Sequence, residues 1–149
     1  GDLITCDFGA VYNGYVSDIT RSVGIGDVSN ELKNIYDIVY EAQKLAISAA
    51  SSKLTGNELD NIAREYIESK GYGEYFTHST GHGIGLEIHE LPMVNNTNKK
   101  TLPINSVVTI EPGIYIPDLG GVRIEDDVII KENSCEVISS ADKELIILD

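Results

Sequence analysis

Four carboxylate residues and one histidine of this 149-residue chain lie in short segments that otherwise read as apolar strands. They are Asp7, Asp18, His82, Glu111 and Glu125. A charged side chain in a buried strand is costly unless a partner neutralises it, and divalent cations are common partners of clustered carboxylates. The five residues therefore predict one dinuclear metal site.

The first two acids, Asp7 and Asp18, belong to predicted strands that are joined by a glycine-containing turn at residues 9–14. Such a hairpin brings two residues on opposite arms close together, where like charges destabilise the pair unless a cation lies between them. In the alternative interpretation, one aspartate caps a turn and the other forms a salt bridge with Arg21.

All three histidines, His78, His82 and His89, fall within twelve residues. A single histidine in an apolar strand is more often a satisfied core residue, but this clustering favours a function. His82 and His89 are separated by an odd number of residues and would face opposite sides of a regular strand. Glycines on both sides of His82 indicate a bulge or a close backbone approach. Only a broken strand can aim both histidines at one site.

Two late predicted strands carry the remaining acids. In the first, Thr109 and Glu111 share the face opposite the apolar residues, and in the second Arg123, Glu125 and Asp127 share one face. An arginine beside a candidate ligand can orient the carboxylate or stabilise developing negative charge. The alternative for Arg123 and Glu125 is a solvated face with a cross-strand ion pair.

Strand and helix patterns surround these residues. The strand patterns lie at residues 3–8, 15–23, 76–80, 84–89, 106–116, 121–130, 136–138 and 145–148. Apolar residues at helical spacing predict one helix from the N-cap Ser29 to about Ser52 and a second from Thr55, with a Glu58 capping box, to Gly71. Residues 92–103 have the composition of an exposed loop. This order predicts an α+β fold with helices covering one face of a mostly antiparallel sheet, and we expect the helices to be packing elements without chemistry.

The net charge of −13 argues against nucleic acid as a partner, because a phosphate backbone would be repelled. No apolar run approaches the length that a bilayer requires, so we expect a cytoplasmic protein without a membrane partner. Cys6 and Cys135 show no metal or disulfide spacing and are interpreted as small apolar residues. The chain begins with Gly1 and enters a strand almost at once, which suggests a portion excised from a longer protein.

The motifs DFG, SDITR, GHGIG, HE, TIEPGIY and GVRIEDD together resemble one family, the pita-bread metallopeptidases, and within it the Xaa-Pro branch of prolidases and aminopeptidase P. The resemblance covers nearly the whole chain. It implies a pita-bread α+β fold with a curved, mostly antiparallel sheet, and a proline-containing peptide as substrate. It also implies that residues 1–149 are a single catalytic-domain portion, without an N-terminal domain and the start of the catalytic domain.

The same resemblance assigns the metal ligands. Asp18 and Glu125 would bridge two ions, Asp7 would complete one coordination sphere, and His82 with Glu111 the other. Oxygen-rich ligation with one imidazole favours Mn²⁺, with Co²⁺, Zn²⁺ and Fe²⁺ as alternatives. Two such ions can activate a water and stabilise the negative charge that its attack creates.

The resemblance also implies catalytic roles for other residues. Glu111 would pass a proton to the leaving nitrogen, and His89 would contact the scissile carbonyl or the tetrahedral intermediate. His78 would line the substrate pocket, with Tyr115 as a further pocket candidate. Arg123 would lie close to the bridging acids and donate hydrogen bonds to developing charge.

Three alternatives stay open. A methionine aminopeptidase would share all five ligands, although the residues after Glu111 and around Arg123 match the proline branch better. The chain could also be a pita-bread domain retained as a non-catalytic binding module, or a member of the metal-free branch that resembles creatine hydrolases. Whether the chain forms a homodimer is a further open alternative. Since part of the scaffold is expected to be absent, we expect this portion alone to be poorly active.

Overall fold

The computed structural model describes residues 1–149 as two α-helices, one short 3₁₀ helix and twelve short strands. The helices are α1 (Asn30–Ala49) and α2 (Gly56–Ser69), and the 3₁₀ helix is Gly73–Tyr75. The strands are β1 (Leu3–Phe8), β2 (Val11–Tyr12), β3 (Tyr15–Val16), β4 (Ile19–Ile25), β5 (Gly81–Gly83), β6 (Glu90–Val94), β7 (Val107–Ile110), β8 (Gly113–Ile116), β9 (Gly120–Arg123), β10 (Asp126–Ile130), β11 (Cys135–Val137) and β12 (Ile147–Leu148).

Both helices begin at the caps that the sequence predicts. The Ser29 side chain accepts the backbone N–H of Leu32, and Thr55 with Glu58 forms a complete capping box. Gly71 follows the second helix with a φ of 86°, a conformation that favours glycine. Neither helix combines the length and the apolar composition that a membrane crossing requires.

Most strands pair antiparallel, as predicted. A five-stranded sheet has the order β11-β10-β7-β5-β6, and a three-stranded sheet has the order β1-β4-β12, in which β12 runs parallel to β4. Two separate hairpins, β2-β3 and β8-β9, complete the structure. Helix α1 packs against α2 and against β7, β8, β9 and β11, and their apolar side chains form one buried core. The α+β class is therefore confirmed.

The predicted strand at residues 84–89 is wrong, because this segment is a loop in the structure. The carboxylate of Glu90 accepts the backbone N–H groups of Leu86 and Glu87, each at 3.1 Å. These peptide groups therefore bond to a side chain rather than to a neighbouring strand. Pro92 lies in β6 rather than in a loop, which it can do because β6 is an edge strand.

The predicted strand at residues 76–80 is also absent, since its segment follows the 3₁₀ helix as irregular chain. Three of the longer predicted strands are interrupted. Their breaks fall at Asp18, between β3 and β4, at Glu111, between β7 and β8, and at Glu125, between β9 and β10. The expectation that these three acids lie in strands was wrong, whereas Asp7 and His82 do lie in strands.

Candidate metal centre

Three of the five predicted ligands form a compact buried group. Asp18, His82 and Glu125 each offer an oxygen or nitrogen atom, and these atoms all lie within 4.8 Å of one another. The three residues are 6%, 6% and 1% exposed. Glu111 adjoins this group, with its Oε1 atom 3.2 Å from Nε2 of His82. A single ion could contact several of these atoms at once.

The strand breaks explain how acids from different sheets reach one place. At its break, Glu111 donates its backbone N–H to the carbonyl oxygen of Thr80 at 2.7 Å, and Glu125 donates its own to Thr20 at 3.1 Å. Each acid is therefore anchored by its backbone to a segment outside its own strand. This anchoring directs the side chain towards the cluster while the peptide groups remain satisfied.

The sequence predicted a broken strand that lets His82 and His89 face one site, and the structure contains this break. The register shifts between Gly81 and Gly83, and the chain leaves the sheet after β5. The two imidazole rings then meet with centroids 4.3 Å apart. A Cβ atom on Gly81 would lie 1.9 Å from the carbonyl oxygen of Thr109, so the predicted close backbone approach occurs at this glycine.

Asp7 lies beside the cluster but is paired with an arginine. Its position on β1 is opposite Thr20 of β4, and its carboxylate contacts Nη2 of Arg123 at 2.5 Å. The Asp7 side chain is 52% exposed and is not part of the compact group. Its role as a ligand stays a prediction.

The ion pairs of Arg21 and Arg123 differ from those that the alternative interpretations expected. Arg21 bonds to Asp126 at 2.7 Å rather than to Asp7 or Asp18, and Arg123 pairs with Asp7 rather than with Glu125. The expected salt bridge of Arg21 with an aspartate of the hairpin is therefore wrong, and Glu125, which is 1% exposed, does not lie on a solvated face.

A hydrogen-bonded row of side chains lines one wall of the site. Nδ1 of His78 lies 2.8 Å from the Ser79 carbonyl oxygen, which can only accept a hydrogen bond. In the neutral ring the proton is therefore on Nδ1, and Nε2 accepts from the Tyr115 hydroxyl at 2.9 Å. The Tyr115 hydroxyl in turn accepts from Arg123 at 3.0 Å. His78, His89 and Arg123 all border an open cleft of about 260 Å³, together with Ser79, His82, Met93 and Glu111.

The electrostatics of the cluster fit a cation. Burial, together with the nearby charge of Glu111, raises the pKa of Glu125 to about 8, and burial with the charge of Asp7 raises the pKa of Asp18. Burial alone would lower the pKa of His82, but its hydrogen bonds to Glu111 and to the Gly83 carbonyl, together with the nearby charges of Glu111 and Glu125, outweigh that effect and raise the pKa to about 8. Without a cation, these acids therefore resist full ionisation.

Buried oxygen atoms without hydrogen-bond partners also indicate that the cluster suits a cation. Oε1 of Glu125 and Oδ1 of Asp127 are buried without a hydrogen-bond partner. Buried oxygens are normally satisfied, so a bound ion is a physical explanation for such atoms. Three carboxylates and one imidazole form a donor set that suits a hard or borderline divalent metal.

The sequence reasoning missed two supporting residues. The hydroxyl of Thr20 donates to Oε2 of Glu125 at 2.5 Å, and Oδ2 of Asp127 accepts the backbone N–H of Asp18 at 3.1 Å. The alternation pattern placed Asp127 on the same face as Glu125 without giving it a role. In the sequence, Thr20 stands out only as part of the SDITR motif, and no pattern indicates that it bonds to an acid from another strand.

Comparisons with known proteins identify similar sequences along most of the chain. The sequence model of metallopeptidase family M24 matches residues 1–132. A Xaa-Pro dipeptidase of Pyrococcus furiosus is 53% identical over 98% of this chain and 42% of its own length. A putative Xaa-Pro aminopeptidase of Mycoplasma pneumoniae is 50% identical over 94% of this chain and 40% of its own length. The chain therefore spans about two fifths of the length of these relatives.

Solved structures agree in fold. The X-Pro aminopeptidase of Thermotoga maritima superposes with a TM-score of 0.95 and 49% identity, covering 98% of this chain and 41% of the other. The prolidase of Pyrococcus horikoshii gives a TM-score of 0.94 and 50% identity, covering 97% of this chain and 42% of the other. The expected pita-bread α+β fold is thereby confirmed.

Proposed function

The chain belongs to metallopeptidase family M24, and from that membership we propose that it is the catalytic portion of an enzyme that hydrolyses the peptide bond before proline. The observation that carries this proposal is the buried group of Asp18, His82 and Glu125, in which a carboxylate oxygen has no protein partner. The names of the relatives, Xaa-Pro dipeptidase and Xaa-Pro aminopeptidase, support the substrate class.

We propose that two divalent ions are held by all five predicted ligands, Asp7, Asp18, His82, Glu111 and Glu125. Mn²⁺ is the first candidate, with Co²⁺, Zn²⁺ and Fe²⁺ as alternatives, because the donors are mostly carboxylate oxygens. When bound, such ions supply Lewis-acid activation of water and of the scissile carbonyl.

The side chains of the cleft supply the rest of the chemistry. Glu111, at the edge of the cleft, takes the proton that the attacking water releases and passes it to the leaving nitrogen. His89 donates a hydrogen bond to the carbonyl oxygen as it gains negative charge in the transition state. Arg123 is held in place by Asp7 and Tyr115 and adds positive charge beside the developing oxyanion.

Selection for proline must come from shape, because a bond before proline has no peptide N–H to recognise. The rings of His78, which borders the cleft, and Tyr115 lie side by side at an angle of 54°, with centroids 5.4 Å apart. We propose that this pair forms a wall of the pocket that receives the proline ring. Neither the methionine aminopeptidase nor the non-catalytic alternative has a specific observation in its favour.

A peptidase assay on the intact protein tests this function. We expect hydrolysis of Ala-Pro, no comparable hydrolysis of Met-Ala, loss of activity in EDTA and recovery with Mn²⁺. The matched variant Glu125→Gln keeps the size of the ligand and should lose both metal and activity. Activity that survives exhaustive chelation, or a preference for Met-Ala, would refute the proposal. Comparing Ala-Pro with Ala-Pro-Ala distinguishes a dipeptidase from an aminopeptidase.

A further inference from the structure

An ion pair between the buried Asp60 and the partly exposed Arg64 connects helix α2 to the segment that leads into the metal centre. Asp60 is 0% exposed, and both of its oxygens accept from Arg64, at 2.8 and 3.0 Å. Oδ1 of Asp60 also accepts the backbone N–H of Thr80 at 3.0 Å and its hydroxyl at 2.8 Å. From the sequence, this helix was expected to contribute packing only.

Thr80 is the contact through which Asp60 reaches the ligands. Its carbonyl oxygen accepts the backbone N–H of Glu111 at 2.7 Å, and two residues further along the chain comes His82. The backbone of His82 is held in turn by the Thr109 hydroxyl at 3.1 Å. A fixed position of Thr80 therefore fixes the backbone from which the side chains of Glu111 and His82 extend.

Arg64 fixes the other end of the same segment. It donates to the carbonyl oxygens of Phe76 at 3.0 Å and His78 at 2.8 Å, and its guanidinium lies over the Phe76 ring at 4.2 Å. The Phe76 ring meets His78 edge to face, with centroids 5.2 Å apart. Residues 76–80 lie outside any helix or strand, so Arg64 satisfies carbonyl groups that a sheet would otherwise hold.

The geometry indicates that Asp60 and Arg64 do more than attach helix α2 to the core. Leu59, Ala63 and Ile67 of α2 are fully buried and already pack the helix into the core. Because Asp60 is buried, the cost of removing its charge from water offsets much of its attraction to Arg64, so the pair adds little net stability compared with apolar residues of the same volume. Apart from the bonds between themselves, the side-chain hydrogen bonds of Asp60 and Arg64 all go to the segment between Phe76 and Thr80.

We propose that Asp60 and Arg64 are positioning residues of the metal centre, which set Glu111 and His82 through Thr80 and set His78 through its backbone. This inference rests on the proposed function, since it concerns the same site. Residues that orient metal ligands from outside the coordination sphere typically affect metal affinity or activity by about 10- to 100-fold. Arg64→Lys keeps the positive charge but cannot reach both carbonyl oxygens and both carboxylate oxygens together.

The test uses the intact protein, stripped of metal and titrated with Mn²⁺ by calorimetry, with kcat and KM measured on Ala-Pro. Arg64→Lys and Thr80→Val are the primary variants, and Thr80→Ser retains the hydroxyl as the conservative rescue. Glu41→Gln removes an exposed ion pair with Lys44 on helix α1 and serves as the matched control. Circular dichroism and thermal unfolding of each metal-free variant establish that it is folded.

We expect folded Arg64→Lys and Thr80→Val to bind Mn²⁺ about 10-fold more weakly or worse and to lose kcat more than KM. Thr80→Ser and Glu41→Gln should stay within about twofold of the parent. Folded primary variants whose Mn²⁺ affinity and kcat equal those of the parent would overturn the inference. Because the titration needs no peptide, a parent protein that binds Mn²⁺ but cleaves neither Ala-Pro nor Ala-Pro-Ala would refute the proposed function and leave this test intact.

Discussion

The imidazole rings of His82 and His89 pack edge to face, with centroids 4.3 Å apart and an interplanar angle of 66°. His82 belongs to the buried ligand group, whereas His89 comes from the loop that follows β5 and borders the cleft. Two histidines in contact thus have different surroundings. The His82 ring is buried beside acids, whereas His89 is exposed at the cleft.

We predict that His82→Asn and His89→Asn separate metal binding from catalysis. His82→Asn should reduce metal content, because it removes the only imidazole of the ligand group. His89→Asn should keep the metal and lower kcat by about 10²- to 10³-fold, the usual effect of removing one hydrogen-bond donor to an oxyanion. Elemental analysis and steady-state kinetics of both variants provide the measurement. A loss of metal from His89→Asn would contradict the assignment.

We predict that Thr20→Val weakens the binding of divalent metal by about 10-fold or more. The hydroxyl of Thr20 donates to Oε2 of Glu125 at 2.5 Å and accepts from Nε of Arg123 at 3.2 Å. Valine has the same shape but leaves both groups without this partner. Titration of the metal-free protein with Mn²⁺ measures the effect, and Thr20→Ser is the control. Equal affinities for valine and serine would show that the hydroxyl is not needed.

We predict that the metal-free protein loses stability as pH rises from about 4.5 to about 8. Burial raises the pKa of Glu125 from 4.5 to about 8, and that of Asp127 to about 6. Between the two pKa values of each group, the folded state holds a proton that the unfolded state has released, and this protonation stabilises the fold. The stabilisation is complete below the pKa values of the unfolded state and is lost as pH rises through the pKa values of the folded state. His82, with its pKa raised to about 8, acts in the same direction.

Thermal unfolding in EDTA across this pH range measures the effect, and Glu125→Gln should flatten the dependence. Added Mn²⁺ should raise the unfolding temperature more at pH 8 than at pH 6, because the ligands must release protons to bind it. A metal-free protein whose stability increases from pH 5 to pH 8 would be inconsistent with buried, protonated carboxyls.

The sequence predicted the helices well because their signals are local. Each helix is marked by its cap, Ser29 or Thr55, and by the spacing of its own apolar residues. These signals need no information from distant residues. The strand breaks at Glu111 and Glu125 could not be predicted in the same way. Each depends on a backbone hydrogen bond to a distant segment, at Thr80 or Thr20. The alternation of apolar residues continues across these breaks and gives no sign of them.

The candidate site was predictable by residue type but not by arrangement. The rare histidines and the acids in apolar segments marked His82, Glu111 and Glu125 as ligand candidates. The partners that orient them, Thr20 and Asp60, have ordinary sequence surroundings and are recognised only when their contacts are seen. A buried threonine or aspartate on a predicted helix or strand carries no pattern that separates it from a solvent-facing residue.

Gly81→Ala should destabilise the fold, by about 1–3 kcal/mol or more, and displace His82. A methyl group at this position would meet the Thr109 carbonyl oxygen at 1.9 Å, and backbone on a central strand cannot move aside cheaply. Gly85→Ala is the matched control, because its nearest neighbour, at 2.9 Å, is the flexible end of the Glu90 side chain. Chemical unfolding of both variants, followed by Mn²⁺ titration where the variant is folded, makes the comparison. If Gly81→Ala is no less stable than Gly85→Ala, the close packing of β5 against β7 does not position His82.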